Sequence, residues 1–211
     1  MAKTKPFDNY FDEYENWFDA NKFIFQSELN AIKKAIPKDK KGVEIGIGSG
    51  IFAVPLGISE GVEPSLAMRT KAIEKELNVI DTVAEELPYQ NNSQDFVLMV
   101  TTICFVDDIY KSFEEINRIL KTDGEFIIGY VDKDSLIGKF YLEHQHESLF
   151  YKDATFFGTE KLIEILETTG FIVKNIYQTV FGFLNEIDEV QETLPGFGKG
   201  SFVVIKAKKG N

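Results

Sequence analysis

Of its 211 residues the chain has one cysteine, two histidines and two arginines, Arg69 and Arg118. A lone Cys104 has no internal disulfide partner, which fits a reducing compartment and a cytoplasmic protein. Twenty-three Lys plus Arg stand against 34 Asp plus Glu, a formal net charge of −11. So acidic a chain lacks the broad positive surface that holds a nucleic-acid backbone, and no nucleic-acid partner is expected. No run of about 20 apolar residues could cross a bilayer, and no apolar segment of the signal-peptide kind follows Lys3 and Lys5, so membrane insertion is not expected either. A phosphate loop ending in Gly-Lys-Ser or Gly-Lys-Thr is missing, and so is a Ser-His-Asp arrangement. No feature of the sequence sets an oligomeric state.

What the chain has in quantity is aromatic residues, 19 Phe and 8 Tyr. They suit a large core, with some left to line a pocket for an organic molecule. Phe7, Tyr10, Phe11 and Tyr14 begin a helical spacing that Trp17, Phe18, Phe23, Phe25, Leu29, Ile32 and Ile36 continue, so residues 7–36 read as a helical cap with a break near Asn21. Strands follow at Val43–Gly46, Gly61–Glu63, Asn78–Asp81, Asp95–Thr101 and Glu125–Val131. The fourth is an unbroken apolar run, as a strand covered on both faces requires. Helices read at 51–57, after Pro64-Ser65, after Asp107-Asp108, and from Thr159, taken as an N-cap, to Glu167. Lys121–Gly124 reads as a turn, 133–157 as an irregular segment, aromatic and polar together, and 181–200 as loop. Phe171–Val180 and Ser201–Lys206 supply two late strands. Alternating strands and helices predict a single α/β domain over 1–211, an open sheet of seven strands with helices on both faces.

The first strand runs into Gly46-Ile47-Gly48-Ser49-Gly50. Glycines let a backbone turn tightly and approach a ligand, and the following helix offers free N–H groups. The dinucleotide fingerprint GxGxxG would need a glycine at position 51, where Ile stands. Glu44, two residues before Gly46, suits a cationic ligand better than a pyrophosphate. Glu63 closes the second strand, where an acid can accept hydrogen bonds from both ribose hydroxyls of an adenosine group.

With these residues the chain resembles the class I S-adenosylmethionine-dependent methyltransferases, and within them the small-molecule, quinone-biosynthesis-like group. The matching segments are Val43–Gly50, Gly61–Ser65, Ala84–Tyr89, Phe96–Thr102, the Leu120–Gly124 passage and Trp17-Phe18 with Tyr14. The resemblance implies a Rossmann-like, mostly parallel sheet and S-adenosyl-L-methionine as cofactor. It places Glu44, Gly46, Thr101 and Thr102 at the methionine end, with Gly48 and Gly50 completing the loop. Glu63 falls at the ribose, Pro64 and Ser65 beside the adenine, and Ala84, Glu85 and Leu87 along its ring. Ile103 and Val106 would line the substrate-facing side, and Tyr10 and Tyr14 would close the lid. One position departs from the pattern. Val83 stands where many relatives carry an acid for the adenine amino group, and Asp81 lies two residues earlier.

A sulfonium donor carries an activated methyl group, so the protein has mainly to aim a nucleophile at it and exclude water. If the acceptor, a small molecule, needs deprotonation, His144 and His146 in the 133–157 segment are the candidate bases, with Tyr130, Asp132 and Tyr141 as weaker ones. His144-x-His146 has no further ligands at metal-binding spacing, so no metal is expected. Two other functions fit parts of the pattern: a nicotinamide-dependent oxidoreductase, and a non-catalytic module that binds S-adenosylmethionine or its demethylated product.

Overall fold

The computed structural model describes residues 3–210. It opens with three helices in close succession, α1 (Lys5–Asn9), α2 (Phe11–Ala20) and α3 (Lys22–Ala35). The chain breaks at Asn21, as expected, where the side-chain amide donates to the Trp17 carbonyl at 2.8 Å and satisfies a group orphaned by the helix end. It breaks a second time at Tyr10, which the spacing of aromatics does not reveal. That turn lets α1 pack on a later helix, α5 (Leu66–Glu74).

One sheet contains β1 (Gly42–Ile45), β2 (Glu60–Val62), β3 (Asn78–Ile80), β4 (Gln94–Val100), β5 (Leu120–Val131), β6 (Phe171–Thr179), β7 (Leu194–Pro195) and β8 (Phe202–Lys209). The order across it is β3-β2-β1-β4-β5-β8-β6-β7. β1 to β5 are mutually parallel, β8 runs antiparallel between β5 and β6, and β7 is antiparallel to β6. The sheet thus has eight strands among the described residues, not seven. The additional one is the two-residue β7 inside the expected loop. Its Pro195 is tolerated because β7 lies at the sheet's edge, where a missing N–H costs no ladder bond.

Side-chain alternation along β4 explains its unbroken apolar run. Phe96, Leu98 and Val100 face a core built with α3 residues such as Leu29 and Ile32. Val97 and Met99 face the opposite core, under Phe113 and Ile116 of α6 (Ile109–Ile119) and Leu162 and Ile165 of α8 (Thr159–Thr168). Period-two alternation puts neighbours on opposite faces, and both faces are covered. Asp108 caps α6 as expected, its carboxylate accepting the Lys111 N–H at 3.0 Å. The helix expected over 51–57 is the single turn α4 (Ala53–Leu56).

Three further local expectations are corrected. Lys121–Gly124 does not interrupt the strand but forms a bulge within β5, where Gln94 pairs with Leu120 and Phe96 with Glu125. Thr159 is the first residue of α8 rather than its cap. Its hydroxyl and amide both donate to the Asp132 carboxylate, so the side chain is engaged elsewhere. Residues 133–157 are not wholly irregular. They contain α7 (Leu136–Glu143), capped by Ser135, and a 3-10 turn, Gln145–Glu147. Parallel β1, β2, β4 and β5 end on one edge of the sheet, and the segments that follow them build the site.

Candidate functional site

β1 delivers the chain into the glycine loop in a conformation that L side chains avoid. Gly46 has φ +68° and Gly48 φ +58°. A Cβ on Gly46 would run into the Thr102 side chain. At Gly48 the nearest heavy atom to such a Cβ is the Tyr14 hydroxyl at 3.7 Å, so the loop leaves free space on that side. Thr102 locks the loop to the end of β4, its hydroxyl lying 2.9 Å from the Val100 carbonyl and 3.3 Å from that of Gly46. Beside it Thr101 holds φ +49°, an uncommon state for a threonine.

Glu63 follows β2 and is only 8% exposed. One carboxylate oxygen accepts the Gly48 N–H at 2.9 Å and the other the Ser65 N–H at 2.8 Å. Each oxygen keeps acceptor capacity for a further donor. Burial pushes this carboxyl up to about 7, against the pull of those hydrogen bonds and of Arg69. Arg69 donates to the Glu63 main-chain carbonyl at 2.7 Å and pairs with Asp81 at 2.8 Å, which holds Asp81 at an exposed position. Glu44 is 2% exposed, and its Oε2 has no hydrogen-bond partner. Burial first, and then the Glu63 charge, hold the Glu44 carboxyl well above the usual range. Two buried acids side by side, one with an unpaired oxygen, create a demand for a cation or a hydrogen-bond donor.

The N-terminal helices close over this edge. Asp8 of α1 accepts the Ser65 hydroxyl at 2.7 Å and the Ala67 N–H at 3.2 Å. Burial pushes the Asp8 carboxyl up, but hydrogen bonds from Ser65, Ala67, Thr4 and Leu66 outweigh it and hold it below its usual value. Glu15 of α2 takes a short hydrogen bond from the Ser49 hydroxyl. Tyr14 lies beneath, its phenol pushed up by burial and then by the charges of Glu63, Glu44, Glu15 and Glu28.

A large cavity runs under the cap. Of the residues expected at the cofactor, Tyr14, Gly46, Gly48, Glu63, Pro64, Ala84, Glu85, Thr101 and Thr102 line it, as does Val106. Val83 also lines it, whereas Asp81 does not. Glu44 lies buried behind the lining, and Gly50 packs against Leu77. Ser65 caps α5 while feeding Glu63 and Asp8. The Leu87 side chain belongs to the core under α6, and its N–H goes to Glu115. Ile51 packs into the other core.

Of the candidate bases Tyr141 lines the cavity, whereas His144, His146, Tyr130 and Asp132 lie elsewhere. His144 is exposed, with Nδ1 2.9 Å from the Phe140 carbonyl and its ring against Phe140. The His146 side chain is 76% exposed beside Glu147. Neither lines the cavity. Tyr130 is buried beneath it, donating to the Thr159 hydroxyl at 2.6 Å, which in turn donates to Asp132. Among the described residues no group of three or more His, Cys, Asp or Glu could hold a metal ion, and no helix is long and apolar enough to cross a membrane.

The same cavity has a second half, lined by Trp17 of the cap motif and the candidate base Tyr141, and by Glu28, Ile137, Phe150 and Tyr151, which no motif indicated. Glu28 could have been found. It interrupts the buried stripe Ile24, Ala31, Ile32, Ala35 of α3 at helical spacing, where an acid is out of place without a reason.

Comparison with known proteins supplies a context for this geometry. A family model described as a methyltransferase domain matches residues 43–128. An uncharacterized protein of Methanocaldococcus jannaschii is 42% identical over 203 residues, 96% of this chain and 98% of that protein. A solved SAM-dependent methyltransferase of Thermotoga maritima, described as a possible histamine N-methyltransferase, shares 43% identity and a TM-score of 0.95 over 98% of this chain and 99% of its own. A SAM-dependent methyltransferase from Archaeoglobus fulgidus shares the fold, with a TM-score of 0.73 at 18% identity over 95% of this chain and 100% of its own.

Proposed function

The chain belongs to the class I S-adenosylmethionine-dependent methyltransferases, and on that premise we propose that its cavity brings a small organic acceptor to the methyl group of S-adenosylmethionine. The observation that carries this reading is the pair of buried acids at the glycine loop. The residues present fit the cofactor's chemistry. Glu63 has a free acceptor site on each oxygen for the two ribose hydroxyls, Glu44 has an unpaired buried oxygen, and Gly48 leaves room beside the loop. When bound, the cofactor supplies an electrophilic methyl group on a positively charged sulfur.

The chain's own residues then bind, orient and exclude water. Glu63 holds the ribose, Pro64 and Ser65 border the adenine, and Val83 to Glu85 pass along its ring. Gly46, Thr101 and Thr102 shape the methionine end, and Glu44 offsets positive charge. Tyr14 roofs the loop. The cap over 7–36 and the segment 133–157 act as the acceptor-side cover of a single domain, since Trp17, Ile137, Tyr141 and Tyr151 all line that half. Fixed geometry and a dry cavity are what methyl transfer asks of a protein.

The quinone-biosynthesis-like resemblance keeps quinol oxygen and ring carbon among the acceptor atoms to examine. The description of the Thermotoga relative adds nitrogen. Release of S-adenosylhomocysteine from labelled S-adenosylmethionine, measured across quinols, phenols, thiols and amines, tests the reading. Turnover with at least one class is expected. Tight cofactor binding with no turnover on any class would favour a binding module instead.

A further inference from the structure

The acceptor half of the cavity contains a group that the cofactor assignments leave unused. Glu28 is 5% exposed and lines the cavity from α3. Its carboxylate has no hydrogen bond or ion pair among the described residues. α3 packs on β5, β6 and β8, whereas the glycine loop and Glu63 follow β1 and β2. Glu28 therefore stands across the cavity from the ribose acid, with Tyr14 feeling the charge of both.

The surroundings limit what could satisfy Glu28. Among the described residues Lys3 is the one basic residue that lines the cavity. Without an arginine or a basic cluster there, a phosphate or carboxylate ligand would meet one lysine against the acids Glu28, Glu63 and Glu85. No metal-binding group is present among the described residues. The walls are rings. Tyr141 and Tyr151 stack at 5.1 Å, and the Glu28 charge reaches both as well as Tyr14. An unpaired buried carboxylate among aromatic faces suits an organic cation, which gains an ion pair and cation–π contacts together. Burial lifts the Glu28 carboxyl to about 8, so an empty site shares its proton near neutral pH and a bound cation would draw it into the charged form.

We infer that this half of the cavity receives the ammonium group of an amine carried on an aromatic body, with the Glu28 carboxylate as its counter-ion and Tyr14, Trp17, Tyr141 and Tyr151 as the ring walls. The inference rests on the methyltransferase reading of the cavity and specifies its acceptor class. It makes Glu28 an acceptor-recognition residue. A neutral isostere offers no charge to draw Glu28 into its ionised form and forgoes the ion pair, which is what sets the amine apart.

Calorimetric titration of 2-phenylethylamine and 2-phenylethanol into protein saturated with S-adenosylhomocysteine tests it. The wild type is expected to prefer the amine by about tenfold or more. Glu28→Gln is expected to abolish that preference while binding S-adenosylhomocysteine as the wild type does. Glu28→Met gives a second neutral occupant of the stripe, and the wild-type comparison needs no variant to fold. Equal affinity for amine and alcohol, no amine binding, or a preference that survives in the variants overturns the inference. So does a loss of S-adenosylhomocysteine affinity in Glu28→Gln as large as its loss of amine affinity, because Glu28 would then serve the cofactor. Wild-type protein that binds no S-adenosylhomocysteine contradicts the cofactor assignment separately, and the amine and alcohol are then compared on the protein alone by the same criteria.

Discussion

Glu63 ties the glycine loop to the start of α5, and both of its oxygens already hold a backbone N–H. Glu63→Ala should weaken S-adenosylhomocysteine binding about tenfold or more, because ribose hydroxyls would lose a charged acceptor in a buried site. Calorimetry reads this, and unchanged affinity would remove the ribose role. Gly46→Ala should be harsher on stability. It combines a positive φ with a collision against Thr102, and a loss of about 1–3 kcal/mol in urea unfolding is expected. Glu44 and Glu63 were legible in the sequence because their spacing from the glycine loop fixes them at adjacent strand ends. His144 and His146 were not, since residue type alone cannot say which side of a short helix faces water. Glu28 was legible only as an acid out of place on an apolar stripe.

The cap is an element anchored in the core through α3, and α1 and α2 add polar contacts to the edge that holds the glycine loop. Asp8 links α1 to Ser65 and Ala67, and Glu15 links α2 to Ser49. Asp8→Ala combined with Glu15→Ala should raise amide hydrogen exchange in α1 and α2 and lower S-adenosylhomocysteine affinity severalfold, with little change in global stability. Unaltered exchange in those helices would show that apolar contacts alone hold the cap. The parallel strands could be read directly, because β4 is apolar on both faces and Gly, Pro and Asp residues punctuate its neighbours. β7 could not, because two residues carry no periodicity and pairing with Tyr177 and Gln178 creates the strand. The bulge at 121–124 kept turn chemistry in its sequence while the β5 ladder resumed beyond it. Ser135 capping of α7 went unread in a segment dominated by aromatics.

At the scale of the whole molecule, three buried acids around one cavity put function in tension with stability. Burial raises Glu63 to about 7, Glu28 to about 8 and Glu44 well above its ordinary value. Each folded-state value exceeds the unfolded one, so the folded protein binds more protons between them. Stability of the ligand-free protein should therefore fall as pH rises from about 4.5 to about 8. Denaturant unfolding at a series of pH values measures this, and a flat or rising profile would contradict the burial of these carboxylates. Adding S-adenosylmethionine should flatten the decline, because its positive charge favours the ionised acids. The sequence conveyed the donor side of this design through its motifs. The acceptor side depends on α3, α7 and the 148–151 turn meeting across the fold, which no local pattern records. A crystal structure with bound S-adenosylhomocysteine tests the account most directly. It should show both ribose hydroxyls on Glu63 and the sulfur facing the half of the cavity lined by Tyr14, Trp17 and Glu28. A ribose away from Glu63, or a sulfur directed away from that half, would contradict it.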